Sequence, residues 1–426
     1  MRKAKGIDIT RPPQKAYPFL MPVVWMLAGV YSLLGRGTVI EKRDPGNIRP
    51  PYLLLSNHAS MIDFAIAARV TFPYRINWVI SVEEFVGRDW ALRGIGGMYK
   101  RKFTAEMVFI RHMVEVLKKR KRICVMYPEA RFSLAGVNER ISSGIGKLVK
   151  MSGCPVVVVI EYGSFLREPQ WNKKPARKVP VRAVESVVVS SDEVKTLSAE
   201  EIQNKIEKAI VYDDYKWQRE NRIRINSRKR AHNIHRILYQ CPVCKKEFGM
   251  NSKDTDIWCE ECGARWTMDE YGVLHSNSGN GVFDNVPDWY RWERENVIKE
   301  VNDGEYRFED DVRIDKLVNF SKGFEKIGMG KMVQDGSGIT VQSRLDSGED
   351  FLLHRTAQSM ESCHIEYDFR KRGTYQRGPA IDLTDKENTY FVFPVNKGKH
   401  LTKIHFATEA LYDKSIETKK VLRDTD

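Results

Sequence analysis

The sequence predicts an α/β layered domain with a mostly parallel sheet, then a small cysteine-bearing module, then a mostly β domain. Three observations carry that division. Short apolar runs alternate with helix-period segments through about residue 195. Two Cys-x2-Cys pairs stand close together in mid-chain. Beyond residue 305 the pattern changes to short alternating runs separated by Gly and Asp/Asn turns. A chain of 426 residues has room for two or three such units. Its 42% apolar content excludes a disordered chain, and its net charge of +14 points to an acidic partner: anionic lipid, nucleic acid or a phosphorylated substrate.

Residues 1–40 form the first segment. Ala16 to Gly35 carries no charge, but Pro18 and Pro22 interrupt it and leave Val23–Leu34 to form a helix. Basic residues lie on both sides: Arg2, Lys3, Lys5, Arg11 and Lys15 before, Arg36, Lys42 and Arg43 after. Equal flanks give no orientation across a bilayer, whereas a helix lying in the membrane interface satisfies both. A monotopic anchor is the expectation; a single span and a buried core helix are the competing readings.

Residues 41–195 form the layered domain. Tyr52-Leu53-Leu54-Leu55-Ser56 reads as a buried strand, and Phe64-Ala65-Ile66-Ala67-Ala68 opens a helix. Between them lies Asn57-His58-Ala59-Ser60-Met61-Ile62-Asp63. On one helix a spacing of five turns two side chains about 140° apart, so His58 meets Asp63 only if it precedes the helix. The plain account is that Ser60 and Asp63 form a capping box and His58 is an ordinary turn residue. Gly96-Gly97-Met98-Tyr99-Lys100-Arg101 reads as a glycine turn with two cations, before a helix from Glu106 to Lys119. The strand Ile123–Tyr127 ends at Pro128-Glu129-Ala130-Arg131-Phe132-Ser133; a helix around Ile145–Met151 and a strand Cys154–Ile160 follow. Ligands of such sheets sit outside the carboxyl ends of the strands, where His58 and Glu129 both emerge.

These residues resemble the glycerolipid acyltransferase family typified by 1-acylglycerol-3-phosphate O-acyltransferase. Asn57 through Asp63 matches its His-x4-Asp block, Gly97 through Arg101 resembles its second block, Tyr127 through Ser133 resembles its Pro-Glu-Gly-Thr-Arg-Ser block, and Cys154-Pro155-Val156 its closing Val-Pro block. The chain departs from the pattern at Lys100, commonly acidic in the family, at Ala130, which replaces glycine, and at Arg131, two residues after the glutamate instead of three. The resemblance implies acyl transfer from a thioester (acyl-CoA or acyl carrier protein) to a lysophosphatidate hydroxyl. His58 would be the general base and Asp63 its orienting partner. Arg101, with Lys100 or Arg131, would hold the acceptor phosphate, and Glu129 would organise those cations or meet glycerol hydroxyls. Another lysolipid or glycerol 3-phosphate is the alternative acceptor.

Residues 196–238 read as a basic helical connector. Leu197 to Val211 is an amphipathic helix with a capping box at Ser198 and Glu201. Lys216 to Arg236 then holds eight cations against one acid, Glu220, read either as a solvated helical face or as a surface for anionic lipid. Within residues 239–275, Cys241, Cys244, Cys259 and Cys262 have the spacing of tetrahedral thiolate ligands and resemble a zinc ribbon. Zinc would be structural there, with iron the alternative metal. Trp258 and Trp266 would pack beside the second pair. Cys124, Cys154 and Cys363 are scattered, as in a reducing compartment.

A helix is expected from Asp288, as N-cap, to Val301. Residues 305–426 read as strands at Tyr306–Ile314, Phe324–Val333, Gly338–Val341, Phe351–Leu353, Cys363–Phe369, Ala380–Leu383, Thr389–Val395 and Lys403–Phe406, closed by a helix at Ala407–Tyr412. That order is similar to a pleckstrin-homology-like fold. The expectation is an enzyme at the cytoplasmic face of a membrane, not a nucleic-acid partner; a zinc-ribbon nucleic-acid-binding protein is the rival reading.

Overall fold

The computed structural model describes residues 7–33, 36–43, 48–172, 176–277, 282–370, 377–385 and 387–424. Arg2, Lys3, Lys5, Leu34 and Gly35, named above in the N-terminal segment, lie outside the described residues.

The first sheet contains β1 (Thr38–Lys42), β2 (Leu53–Ser56), β3 (Asn77–Ser81), β4 (Gly97–Lys100), β5 (Cys124–Met126), β6 (Val156–Tyr162) and β7 (Val181–Val189). Their order is β1-β7-β6-β2-β5-β3-β4, parallel throughout except between β6 and β7. Every residue of β2 is buried, as an apolar run covered on both faces requires. The parallel strands β2, β5 and β4 end at one edge, and His58, Glu129 and Arg101 leave from it. The expected glycine turn at 96–101 is confined to Gly96, at φ 93°, and Gly97–Lys100 form the strand β4, where Gly97 and Met98 are buried beside β3.

Helix α1 (Met21–Leu33) packs along α2 (Ile62–Val70). Its opposite face leaves Val23, Met26, Val30 and Leu33 exposed, as is Phe19 in the turn before it. With 13 residues it rises about 20 Å, short of a hydrocarbon core of about 30 Å. Among the described residues no helix is long and apolar enough to cross a membrane, which corrects the single-span alternative.

The other helices are α3 (Asp89–Gly94), α4 (Met107–Val114), α5 (Ile145–Ser152), α6 (Ser164–Arg167), α7 (Ser191–Thr196), α8 (Ala199–Ala209), α9 (Asp214–Glu220), α10 (Val286–Asp303) and α11 (Leu401–Asp424). The capping box of α8 forms at Ser198 and Glu201. Helix α10 begins earlier than expected, because Asn285 is the N-cap and accepts from the Asp288 N–H.

The basic connector is not one helix. After α9 the chain turns irregular, and Ile225, Ala231, Ile234, Ile237 and Leu238 enter the core. Several of its cations bind within the protein: Arg230 donates to the Met268 carbonyl at 2.7 Å, and Arg236 pairs with Asp368 at 2.7 Å.

A second, antiparallel sheet follows, ordered β11-β10-β9-β8 from β8 (Met250–Lys253), β9 (Asp256–Cys259), β10 (Arg265–Met268) and β11 (Leu274–Ser276). The third sheet, also antiparallel, runs β15-β14-β13-β12-β18-β17-β16. It comprises β12 (Phe308–Asn319), β13 (Gly323–Asp335), β14 (Gly338–Leu345), β15 (Asp350–Thr356), β16 (His364–Arg370), β17 (Arg377–Thr384) and β18 (Thr389–Pro394). The expected strand at Lys403–Phe406 belongs instead to α11, where Leu401, Ile404 and Ala407 recur at helical spacing and are fully buried. One apolar core joins all three parts, from Ala59 and Phe165 through Trp266 and Trp289 to Phe406.

Candidate active site

His58 stands in the turn between β2 and α2, and its Nδ1 lies 2.9 Å from Asp63 Oδ2. The same oxygen accepts from the backbone N–H groups of Ala59 at 2.7 Å and Ser60 at 3.0 Å. Asp63 therefore does two jobs. It holds backbone donors at the start of α2, as the plain account supposed, and it engages the imidazole. When Nδ1 donates to Asp63 Oδ2, Nε2 is left as the ring's acceptor. The ring is clasped by aromatics: Tyr127 stacks on it at 4.1 Å, Phe132 lies at 4.1 Å and Phe64 meets it edge-on at 5.6 Å. A backbone bond from Ser133 N–H to the His58 carbonyl, 2.7 Å, ties the loop after β5 to this turn.

Behind Asp63 lies a polar shell. Ser164 Oγ donates to Asp63 Oδ1 and lies 3.0 Å from Ser60 Oγ. Asn57 clamps the backbone of Glu161, accepting from its N–H at 2.8 Å and donating to its carbonyl at 3.2 Å. The Glu161 carboxyl is fully buried and accepts from Ser56 Oγ at 2.9 Å. Burial and the nearby Asp63 charge push it well above the usual carboxylate range. Ser56, Glu161 and Ser164 carried no expectation. The available signal was an acid ending the apolar run Val156–Ile160, where a charge is costly without a purpose.

The residues expected to hold the acceptor are placed differently from one another. Arg101 is buried, donates to Glu106 Oε1 at 3.0 Å and to the Glu387 carbonyl at 2.6 Å. Lys100 Nζ donates to the carbonyls of Arg101 and Thr104, each at 2.6 Å. Glu129 is sealed, and neither carboxylate oxygen has a hydrogen-bond partner among the described residues. Burial, then repulsion from Glu139, raises its carboxyl well above the usual range, and the Arg131 charge opposes that rise. Arg131 lines the cavity that also reaches His58 and turns its guanidinium to Glu139 at 3.0 Å and Glu409 at 2.9 Å, inside an ion-pair cluster. Ala130, where the related block has glycine, adopts φ 54°. The left-handed conformation there turns the loop inward after Glu129, and glycine would adopt it without strain.

His58 opens on a cavity of 1810 Å³. Its walls are apolar at Val24, Leu27, Ala28, Phe64, Phe109 and Leu148, and carry both signs of charge, at Lys100, Arg101 and Arg355 and at Glu84, Glu106, Glu366 and Asp385. That volume exceeds the pocket of a drug-sized molecule, about 300–1,000 Å³, and suits a long amphipathic ligand.

Cys241, Cys244, Cys259 and Cys262 bring their Sγ atoms within 4.8 Å of one another, a set able to coordinate a metal ion. Both Cys pairs turn alike: Lys245 after the first has φ 64° and Gly263 after the second φ 73°. Trp266 is fully buried against Trp289, whereas Trp258 lies under the Arg265 guanidinium.

The chain matches the family model "Acyltransferase" over residues 39–160. A solved structure, the 1-acyl-sn-glycerophosphate (LPA) acyltransferase PlsC from Thermotoga maritima, aligns at 17% identity with a TM-score of 0.38. The alignment covers 48% of this chain and 80% of that one. No curated protein matches. Residues 39–160 are thus an acyltransferase domain, and the His58–Asp63 pair lies within it.

Proposed function

We propose that this protein moves a fatty acyl group from a thioester, acyl-CoA or acyl carrier protein, to the hydroxyl of 1-acylglycerol 3-phosphate, giving phosphatidate. The observation that carries this is the His58–Asp63 contact of 2.9 Å on the wall of an amphipathic 1810 Å³ cavity. His58 Nε2 takes the acceptor's hydroxyl proton as that oxygen attacks the thioester carbonyl. The C–S bond then breaks, and the imidazolium returns its proton to the departing thiolate, leaving ester and thiol. Asp63 keeps the tautomer and stabilises the transient imidazolium. The acceptor hydroxyl is itself the nucleophile, so no enzyme-bound acyl intermediate is needed.

The exposed apolar face of α1 lies in the interface of an anionic membrane, at its cytoplasmic face, and the chain's +14 charge holds it there. The four thiolates hold zinc structurally. Two Sγ–Sγ separations are 3.7 Å, Cys241–Cys262 and Cys244–Cys259, against about 3.8 Å for a tetrahedron with Zn–S near 2.3 Å.

The test is transfer of labelled acyl thioester to lysophosphatidate, glycerol 3-phosphate and other lysolipids. His58→Ala is expected to lower turnover by roughly 10²–10⁴-fold at an unaltered unfolding midpoint. Undiminished turnover by a folded variant would end the mechanism.

A further inference from the structure

The two carboxylate oxygens of Asp63 are held from different parts of the chain. Oδ2 lies 2.9 Å from His58 Nδ1 and accepts from the N–H groups of Ala59 at 2.7 Å and Ser60 at 3.0 Å. Three contacts on one oxygen do not fix the rotation of the group, because the terminal torsion of an aspartate is broad. The other oxygen has to be held as well, and Ser164 Oγ donates to it. Ser164 has one hydroxyl proton and uses it there, so the Ser60 hydroxyl, 3.0 Å away, donates to Ser164. A hydroxyl that accepts one hydrogen bond donates a stronger one. All three side chains are buried, so bulk water does not compete for Oδ1.

Ser164 is itself mounted on a fixed turn between β6 and α6. Gly163 before it has φ 84°, and a Cβ at that position would collide with the Pro180 carbonyl. Asp214, at the start of α9, accepts from the Gly163 N–H at 2.9 Å and from the Phe165 N–H at 3.1 Å, one on each of its oxygens. The amides on both sides of Ser164 are therefore tied down. Phe165 is fully buried beside Trp171 and Tyr215. A carboxylate 50 positions further along the chain thus sets where this hydroxyl stands.

We propose that Ser164 is the positioning residue of the His58–Asp63 pair: its hydroxyl holds the carboxylate in the rotation that meets Nδ1, so that Nε2 stays the ring's acceptor. What the pair does with a substrate proton rests on the acyl-transfer reading above; the hold on the ring does not.

The experiment compares wild type with Ser164→Ala, Ser164→Thr and Glu161→Gln. It reads acyl transfer to lysophosphatidate and, at a pH above the ordinary histidine range, the nitrogen-15 spectrum of the histidine rings, in which His58 is the signal missing from His58→Ala. Glu161, the buried acid beside Asp63, is the rival for the role. Ser164→Ala is expected to lower kcat about 10- to 100-fold, as for loss of a hydrogen bond to a charged group, with both KM values moving less than about twofold. The His58 ring is expected to shift from the Nδ1–H tautomer toward a mixture. Ser164→Thr, which keeps the hydroxyl, restores most of both, and Glu161→Gln disturbs both less than Ser164→Ala does. An unchanged kcat or an unchanged ring spectrum in a folded Ser164→Ala protein would overturn the proposal, as would a larger effect of Glu161→Gln. Should wild type transfer to no acceptor, the acyl-transfer reading fails, and the ring spectrum still decides on Ser164. Should the Ala variant not fold, Ser164→Cys decides: it keeps the shape but offers only a weak S–H donor, so kcat and the tautomer must change together.

Discussion

Arg131 and Glu409 stand 278 positions apart in the chain and pair at 2.9 Å. The first lies in the loop after β5, the second on α11. The same guanidinium donates to Glu139 at 3.0 Å, Ser362 Oγ at 2.5 Å and His405 Nδ1 at 2.9 Å. Arg294 of α10 approaches both acids, Glu139 at 2.8 Å and Glu409 at 3.4 Å. The loop that clasps His58 is thereby bolted to the C-terminal helix by charges removed from water.

Removing one charge from this cluster leaves the buried Arg131 guanidinium and the part-exposed Arg294 sharing a single carboxylate. Glu409→Gln is expected to lose about 3–5 kcal/mol in urea unfolding. A loss below about 1 kcal/mol would mean that solvent reaches the cluster.

Asp63→Asn exchanges an acceptor for an amide that faces three donors: His58 Nδ1–H and the N–H groups of Ala59 and Ser60. Either the wrong imidazole tautomer or a turned amide results. Turnover is expected to drop by roughly 10³–10⁴-fold with little change in KM. A drop under tenfold would show that Asp63 does not set the tautomer.

Cys241 and Cys259 are buried in the same core as Trp266 and Trp289, so metal loss is felt well beyond the sulfurs. One equivalent of zinc per chain is expected by elemental analysis. Its removal by chelation, or Cys259→Ser, is expected to cost several kcal/mol out of the roughly 10–16 kcal/mol that such a site supplies. Full stability of a metal-free chain would refute a structural metal.

Burial depresses four histidines: His112, and more strongly His235 and His400, to about 4, and His405, to about 3. His405 Nδ1 accepts from Arg131, which also requires a neutral ring. In the unfolded chain each has a pKa near 6.5, so below that pH unfolding takes up protons that folding excludes. Their contribution is whole above about pH 6.5 and is lost as pH falls toward 4 and then 3. Urea midpoints measured from pH 7 to 4.5 should decline, and His405→Asn should shallow the decline. A pH-independent difference between that variant and wild type would contradict it.

Local chemistry is what made the acyltransferase domain readable from the chain alone. An apolar strand, a turn and a helix start carried His58 and Asp63, because five positions bring two side chains together only across a turn. The four cysteines were equally plain, since ligand spacing is written along the chain. Strands β12 to β18 showed through alternation, with edges off by a few residues. Lys403–Phe406 was misread because a four-residue apolar run suits either period, and only the burial of Leu401, Ile404 and Ala407 along one face of α11 decides for helix.

What tertiary structure alone decided is who neutralises whom. Arg131, Arg101 and Arg355 are each simply an arginine in the sequence. Packing gives the first to Glu139 and Glu409, the second to Glu106, and sets the third among the carbonyls of Thr384, Phe103 and Ser359. Charge pairing acts through space over a few ångströms, between residues as far apart as Arg131 and Glu409, 278 positions, and no periodicity along the chain records it.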